Sequence, residues 1–417
     1  MSHRDIPLFK SKALQWANSF DICCCLDSNS YTDPFGKFDF IIAAGATQVL
    51  NTPAGHAFEA LQSFYELHKT WMFGLLSYDL KNEQEQLKSN NPDGLHFPEL
   101  FFFVPQYLIT VKDNKIEVVM GDQQILQEIG GTELLDPVPG KPLDIKHKLD
   151  KAAYLKKISE LQQHISRGDI YEVTYCQEFF ATPAEINPLQ VFNQLNTVSP
   201  TPFAGYFKIY DQYILSASPE RFLCKREDKL ISQPIKGTAK RDPDGIIDEQ
   251  VKLELSNNIK EQAENVMIVD LVRNDLTKSA LKGSVKVEEL FGIYSFPQVH
   301  QMISTISCRL NPELHFIKAI KNTFPMGSMT GAPKISAMEL IESHELSKRG
   351  AYSGSIGYIS PEEEFDFNVI IRSILYQETE KYLSFQVGGA ITYASNPEGE
   401  YEECMVKASA IIQTLAQ

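Results

Sequence analysis

Leu155, Ile158, Leu161 and Ile165 recur at helical spacing between Lys151 and Arg167, with Asp150 placed to cap the first turn and Gly168 to end the last. Ala57 to His68 also reads as a helix, and Asp248 to Val269 reads as one long helix. Shorter apolar runs read as strands: Phe38 to Ala43, Leu100 to Val104 and Tyr107 to Val111 early, then Tyr171 to Phe180, Ala204 to Ile209 and Tyr213 to Ser216. Late in the chain Gly354 to Ile359, Phe367 to Tyr376 and Tyr382 to Val387 follow one another across short turns, which favours antiparallel pairing. The pattern predicts an α+β protein with large sheets and flanking helices. Gly130, Gly131, Pro137, Pro139, Gly140 and Pro142 crowd one stretch, dividing residues 1–140 from a second region, 150–417, within what is expected to be one intertwined unit.

Composition narrows the function. The chain has 417 residues, 43% of them hydrophobic, enough for a large core. No apolar run approaches the ~20 residues of a membrane helix, and Met1 to Lys10 lacks a secretory signal pattern. A cytoplasmic protein is expected. Seven cysteines, an odd count without a Cys-x-x-Cys pair, read as reduced and buried thiols rather than disulfides or a zinc site. A formal charge of −15 argues against nucleic acid or an anionic membrane as partner. For an anionic substrate, that charge obliges the site to supply its own cations, from side chains or a metal.

Two segments each offer carboxylates three residues apart, Glu261 with Glu264 and Glu400 with Glu403. On a helix that spacing places both on one face, as either a solvated acidic face or a magnesium site. Lys236 stands in Pro234-Ile235-Lys236-Gly237-Thr238, between a stiff residue and one that permits close approach. Read alone, such a lysine is most often surface; as a nucleophile it needs a lowered pKa, from desolvation, a metal, or Lys240 and Arg241 nearby. Pro325 to Lys334 forms a Gly-containing loop before a helix, but its spacing does not fit a phosphate loop. Gly388-Gly389 after a strand fits a bend or a ligand contact equally. Lys407 suits an i,i+4 pair with Glu403, whereas Arg372, late in an apolar strand, calls for an anionic partner that a substrate carboxylate would satisfy.

Taken in order, Ser218-Pro219-Glu220-Arg221, Ala263-Glu264-Asn265, Asp270 to Asp275, Thr330 to Lys334 and Tyr401-Glu402-Glu403 resemble the chorismate-utilising enzymes, which include anthranilate, aminodeoxychorismate, isochorismate and salicylate synthases. The resemblance covers most of the chain and implies a sandwich of large, mostly antiparallel sheets. It implies magnesium held by Glu264 and Glu403, with Glu261 and Glu400 behind them. Tyr352, Arg372, Gly388, Gly389 and Lys407 are expected around the substrate carboxylates, and Thr238 and Ser328 along the pocket. Lysine at position 236 resembles the aminodeoxychorismate branch, where it attacks the ring before ammonia displaces it, with Glu220 as proton donor to the departing C4 hydroxyl. Glu172 stands where the water-adding synthases resemble one another in carrying a lysine base. Because no glutaminase motif is visible, a glutamine amidotransferase component II is expected to supply ammonia. Asp33-Pro34-Phe35 with Phe38-Asp39 resembles a region where related enzymes hold tryptophan. Three positions depart from the family: Gln301 replaces a histidine that His300 precedes by one, Gln262 replaces an arginine, and Ala390 a glycine. Anthranilate synthesis, isochorismate or salicylate synthesis, and a non-catalytic binding subunit are the alternatives.

Overall fold

The computed structural model describes residues 6–138, 140–296 and 299–416; Met1 to Asp5, Pro139 in the Gly- and Pro-rich stretch, Pro297, Gln298 and Gln417 lie outside the described residues. Every strand pairing among the described residues is antiparallel. The strands Phe40–Thr52 and Leu100–Lys112 pair along their length, and two arms lead from them. One runs through Ile22–Asp27, Phe203–Ile209, Gln212–Ser218, Ser373–Gln377 and Tyr382–Ile391 to Glu172–Ala181. The other runs through Met72–Leu76, Ser355–Ile359, Phe365–Asn368, Arg221–Arg226 and Lys229–Gln233 to Val299–Arg309, which Ile235–Lys240 also joins. Strands from before residue 140 thus share sheets with strands from after residue 150.

Alternation of side chains gives the sheet two cores. Cys24, Ile41 and Ala43 enter one, which also takes in Phe101, Phe103, Tyr65 and Phe316. Their neighbours Cys23, Cys25, Ile42 and Ala44 enter the other, beneath the helices Ile6–Ala17, Lys151–Arg167, Pro188–Val198 and Pro397–Leu415. All seven cysteines are buried and unpaired.

Helices Ala57–His68 and Lys151–Arg167 match their predicted bounds, and Asp150 accepts from the Ala153 amide as the cap. The long helix over Asp248 to Val269 is instead two helices, Gly245–Ser256 and Ile259–Thr277. The break is chemical: Asn258 accepts from the Glu261 amide at 3.2 Å, and an asparagine cap competes with helix continuation. The strand over Phe367 to Tyr376 is also two, Phe365–Asn368 and Ser373–Gln377. Arg372 lies in the gap with φ of 50°, not within a strand.

Candidate active site

A cleft of about 1190 Å³ gathers all thirteen candidate residues: Glu220, Lys236, Thr238, Glu261, Glu264, Ser328, Tyr352, Arg372, Gly388, Gly389, Glu400, Glu403 and Lys407. They come from segments separated by up to hundreds of residues. Lys236 enters on Ile235–Lys240, Glu261 and Glu264 on the helix Ile259–Thr277, and Glu400, Glu403 and Lys407 on Pro397–Leu415. The floor is the strand Tyr382–Ile391, where a Cβ on Gly388 would collide with the Tyr175 carbonyl oxygen of the paired strand. A Cβ on Gly389 would meet Glu400 Oε2 at 3.2 Å and Glu403 Oε1 at 3.9 Å, so this glycine keeps the acidic end open.

Lys236 is enclosed. Its side chain is 10% exposed, and Nζ lies 3.0 Å from Oε1 of the fully buried Glu172. Burial pulls its pKa down, but Glu172, Glu264 and Glu220 outweigh burial and raise it above the ordinary lysine value. Of the expected sources of a lowered pKa, desolvation acts but is outweighed, and Lys240 and Arg241 do not govern the group, Arg241 being paired with Asp248 at 2.6 Å. Glu220 is buried between the strands Gln212–Ser218 and Arg221–Arg226. Burial pushes its carboxyl up to about 7, against the opposing pull of Ser328, Lys236 and Arg372, and Ser328 Oγ donates to Oε1 at 2.5 Å. A carboxyl poised near neutrality suits a proton donor.

The acidic end holds an internal cation. Lys260 Nζ sits 3.6 Å from Glu264 Oε1 and 3.3 Å from Glu400 Oε1. Glu264 Oε1 is buried without a hydrogen-bond partner, and burial lifts this carboxyl to about 7. Burial also raises Glu261, whereas Lys407, 2.7 Å from Glu403, lowers that carboxyl. Among the described residues no three His, Cys, Asp or Glu converge into a metal cage. Magnesium does not require one, since it retains waters and takes one or two carboxylates with substrate oxygens. The orphaned Glu264 oxygen, the all-oxygen donor set and an ammonium already between Glu264 and Glu400 fit such an ion.

Arg372 also lines the cleft, with Glu220 as the charge that acts on it. Lys407 bonds the Gly388 carbonyl at 2.9 Å as well as Glu403, so the helical pair anticipated from sequence forms and still borders the cleft. Tyr352 is buried with its hydroxyl 3.4 Å from Cys176 Sγ. Thr238 is more exposed and pairs in register with Gln301. His300 turns away, to Asp248 at 3.0 Å and Ser295 at 2.9 Å, while Gln301 lines the cleft with Oε1 buried and unpartnered. Lys260 was not singled out in the sequence, although its i,i+4 spacing to Glu264 was visible; Thr174 and Gln386, also in the lining, carry no motif.

Residues 21–413 match the family described as chorismate binding enzyme. The chain belongs to that family. It is 40% identical over 267 residues to aminodeoxychorismate synthase component 1 of Salmonella typhimurium, covering 64% of this chain and 58% of that protein. To the Escherichia coli protein of the same name it is 34% identical over 347 residues, 82% of this chain and 76% of the relative. The matches thus span about three fifths to three quarters of these relatives. The solved anthranilate synthase component I from Streptococcus pneumoniae superposes with a TM-score of 0.78 at 26% identity, covering 92% of this chain and 93% of that one. The antiparallel sheets and flanking helices are accordingly those of the chorismate-binding fold.

Proposed function

We propose that this chain aminates chorismate to 4-amino-4-deoxychorismate, on the route to para-aminobenzoate and folate, with Lys236 as covalent nucleophile. The observation that carries the proposal is the enclosure of Lys236 in the same cleft as Glu220, Arg372 and the four glutamates. A lysine on the surface would have no such company. Arg372 and Lys407 receive the substrate carboxylates, with Tyr352, Thr238 and the Gly388-Gly389 floor shaping the pocket around them. Lys236 forms a bond to the ring, and Glu220, whose carboxyl burial pushes up to about 7, gives its proton to the departing hydroxyl. Ammonia then displaces the lysine and leaves the amine. Glu264 and Glu403 would hold magnesium, backed by Glu261 and Glu400; when bound, the ion supplies Lewis-acid polarisation and offsets carboxylate charge.

Ammonia is proposed to come from a glutamine amidotransferase component II, consistent with the component 1 naming of the relatives. A second cavity of about 350 Å³, bordered by Asp33, Phe38, Asp39 and Arg221, supports the reading of a tryptophan-sized pocket in the N-terminal region. Reduced cysteines favour a cytoplasmic protein, and no described helix is long and apolar enough to cross a membrane. Product analysis with chorismate, magnesium and an ammonium salt tests the proposal. Aminodeoxychorismate from wild type and a severe loss in Lys236→Ala are expected. Anthranilate with pyruvate, or turnover without ammonia, overturns it.

A further inference from the structure

Glu172 opens the strand Glu172–Ala181 and is wholly enclosed. A buried carboxylate needs a cation or hydrogen-bond donors to remain charged. Apart from Lys236, whose Nζ lies 3.0 Å from Oε1, neither of its oxygens has a hydrogen-bond partner among the described residues. The backbone fixes it there. Tyr171 donates its amide hydrogen to the Ala332 carbonyl at 2.7 Å, and Gly331 and Ala332 pair with Val173 and Glu172. Only a glycine fits at 331, because a Cβ would strike the Glu172 carbonyl oxygen. The Thr330 to Lys334 segment therefore clamps the strand end that carries Glu172. Thr174 and Lys236 line the cleft, and Glu172 stands behind them.

We propose that Glu172 is the base for Lys236: it holds the amine toward the cleft and takes one of its protons as the nitrogen attacks the substrate ring. This rests on the reading of Lys236 as nucleophile. An N–H bond of the ammonium breaks, an O–H bond forms on Glu172, and the freed electron pair makes the bond to the ring. The ring C–O bond breaks as Glu220 gives its proton, and the hydroxyl leaves as water. When ammonia displaces the lysine, the electron pair of the broken C–N bond stays on Nζ, and the proton returns to it from Glu172. The product ammonium or solvent restores the Glu220 proton. Glu264, Glu261 and Glu403 also face Lys236 and favour its charged form, whereas Glu220 carries its proton at this step. Transfer inside the pair leaves the cleft's net charge unchanged, whereas release of the proton to bulk works against all of these carboxylates.

The test uses the full chain with magnesium and chorismate. Without ammonium, the lysine adduct, heavier by chorismate less one water, is timed by intact-mass spectrometry; with ammonium, kcat and KM are measured. Glu172→Gln is expected to slow adduct formation and kcat by about 100-fold, the scale of a positioned base, with KM for chorismate unchanged. Glu172→Asp, which keeps the charge at shorter reach, is expected to slow the adduct by only about tenfold and so to recover part of the loss. An adduct rate in Glu172→Gln within about twofold of wild type overturns the proposal. So does equal loss in both variants that follows a fall in melting temperature or a rise in KM, because that marks a structural role. Should Glu172→Gln fail to fold, an unchanged adduct rate in Glu172→Asp overturns it. The absence of any adduct in wild type, with turnover surviving in Lys236→Ala, instead removes the nucleophile reading and this proposal with it.

Discussion

Ser328→Ala removes the hydroxyl that donates to Glu220 Oε1 at 2.5 Å and leaves the rest of the cleft wall in place. That bond favours the carboxylate; burial opposes it and dominates, which puts Glu220 at about 7. Hydrogen bonds to charged groups contribute roughly 1.5–3 kcal/mol, and one pKa unit is about 1.4 kcal/mol. Loss of the hydroxyl therefore raises the Glu220 pKa by about one to two units. A proton donor acts only while protonated, so the wild-type rate is expected to fall as pH rises through about 7. In Ser328→Ala the fall moves upward by about one to two units. The assay is kcat for chorismate amination across pH at constant free ammonia, with product quantified chromatographically. A limb that stays in place, or moves to lower pH, refutes the assignment of Glu220 as donor.

Glu220→Gln should lower kcat by about 10²- to 10⁴-fold, since an amide has no proton to give. The same variant tests linkage: the folded pKa of about 7 exceeds the ordinary 4.5, so this group destabilises the fold increasingly as pH rises between those values, by roughly 3 kcal/mol at the top. Chemical denaturation of the metal-free chain should accordingly find Glu220→Gln more stable than wild type above about pH 7 and no more stable below about pH 4. Calorimetric titration with magnesium should show Glu400→Gln weakening binding about 10–100-fold, as loss of a supporting carboxylate does, and Glu264→Gln weakening it further. Gly388→Ala should lose about 1–3 kcal/mol in thermal melts through the collision with Tyr175. Gly389→Ala, facing movable carboxylate ends, should keep its melting temperature and raise KM. Ammonium but not glutamine should support turnover by the chain alone; activity with glutamine would remove the need for an amidotransferase partner.

Sequence periodicity was informative where one local force decides the outcome. Asp150 and Gly168 bound their helix because capping acts within one turn, and the short late strands pair antiparallel because their turns allow little else. It misled at Asn257-Asn258, where apolar and acidic spacing continues across a break that an asparagine cap imposes, and at Arg372, where the chain leaves the strand for four residues. The motif residues could be named from the chain, but not their mutual distances. Lys236 meets Glu172 only because Ile235–Lys240 and Glu172–Ala181 sit in different arms of the sheet that face one cleft. Lys240 and Arg241 are sequence neighbours of Lys236, yet the charges that govern it arrive from three remote segments. Proximity along the chain was the wrong guide to electrostatics there.

An acidic chain with the proposed dianionic substrate has to reverse its own field locally, and side chains alone supply little of that reversal in the cleft. Against Lys236, Lys240, Arg241, Lys260, Arg372 and Lys407 stand Glu172, Glu220, Asp242, Asp248, Glu261, Glu264, Glu400 and Glu403. Lys236 is matched by Glu172, Arg241 by Asp248, Lys407 by Glu403, and Lys260 is shared between Glu264 and Glu400, which leaves Arg372, with Glu220 beside it, and the exposed Lys240. Arg372 and Lys240 do not balance two substrate carboxylates together with the remaining acidic groups. A divalent ion held by Glu264 and Glu403 would offset that imbalance. Chorismate affinity should consequently rise steeply with magnesium in equilibrium dialysis, and Lys260→Met should strengthen that dependence by removing the tethered ammonium. Equal chorismate affinity with and without magnesium would mean that the side chains suffice, and would leave the four glutamates without a role in substrate capture.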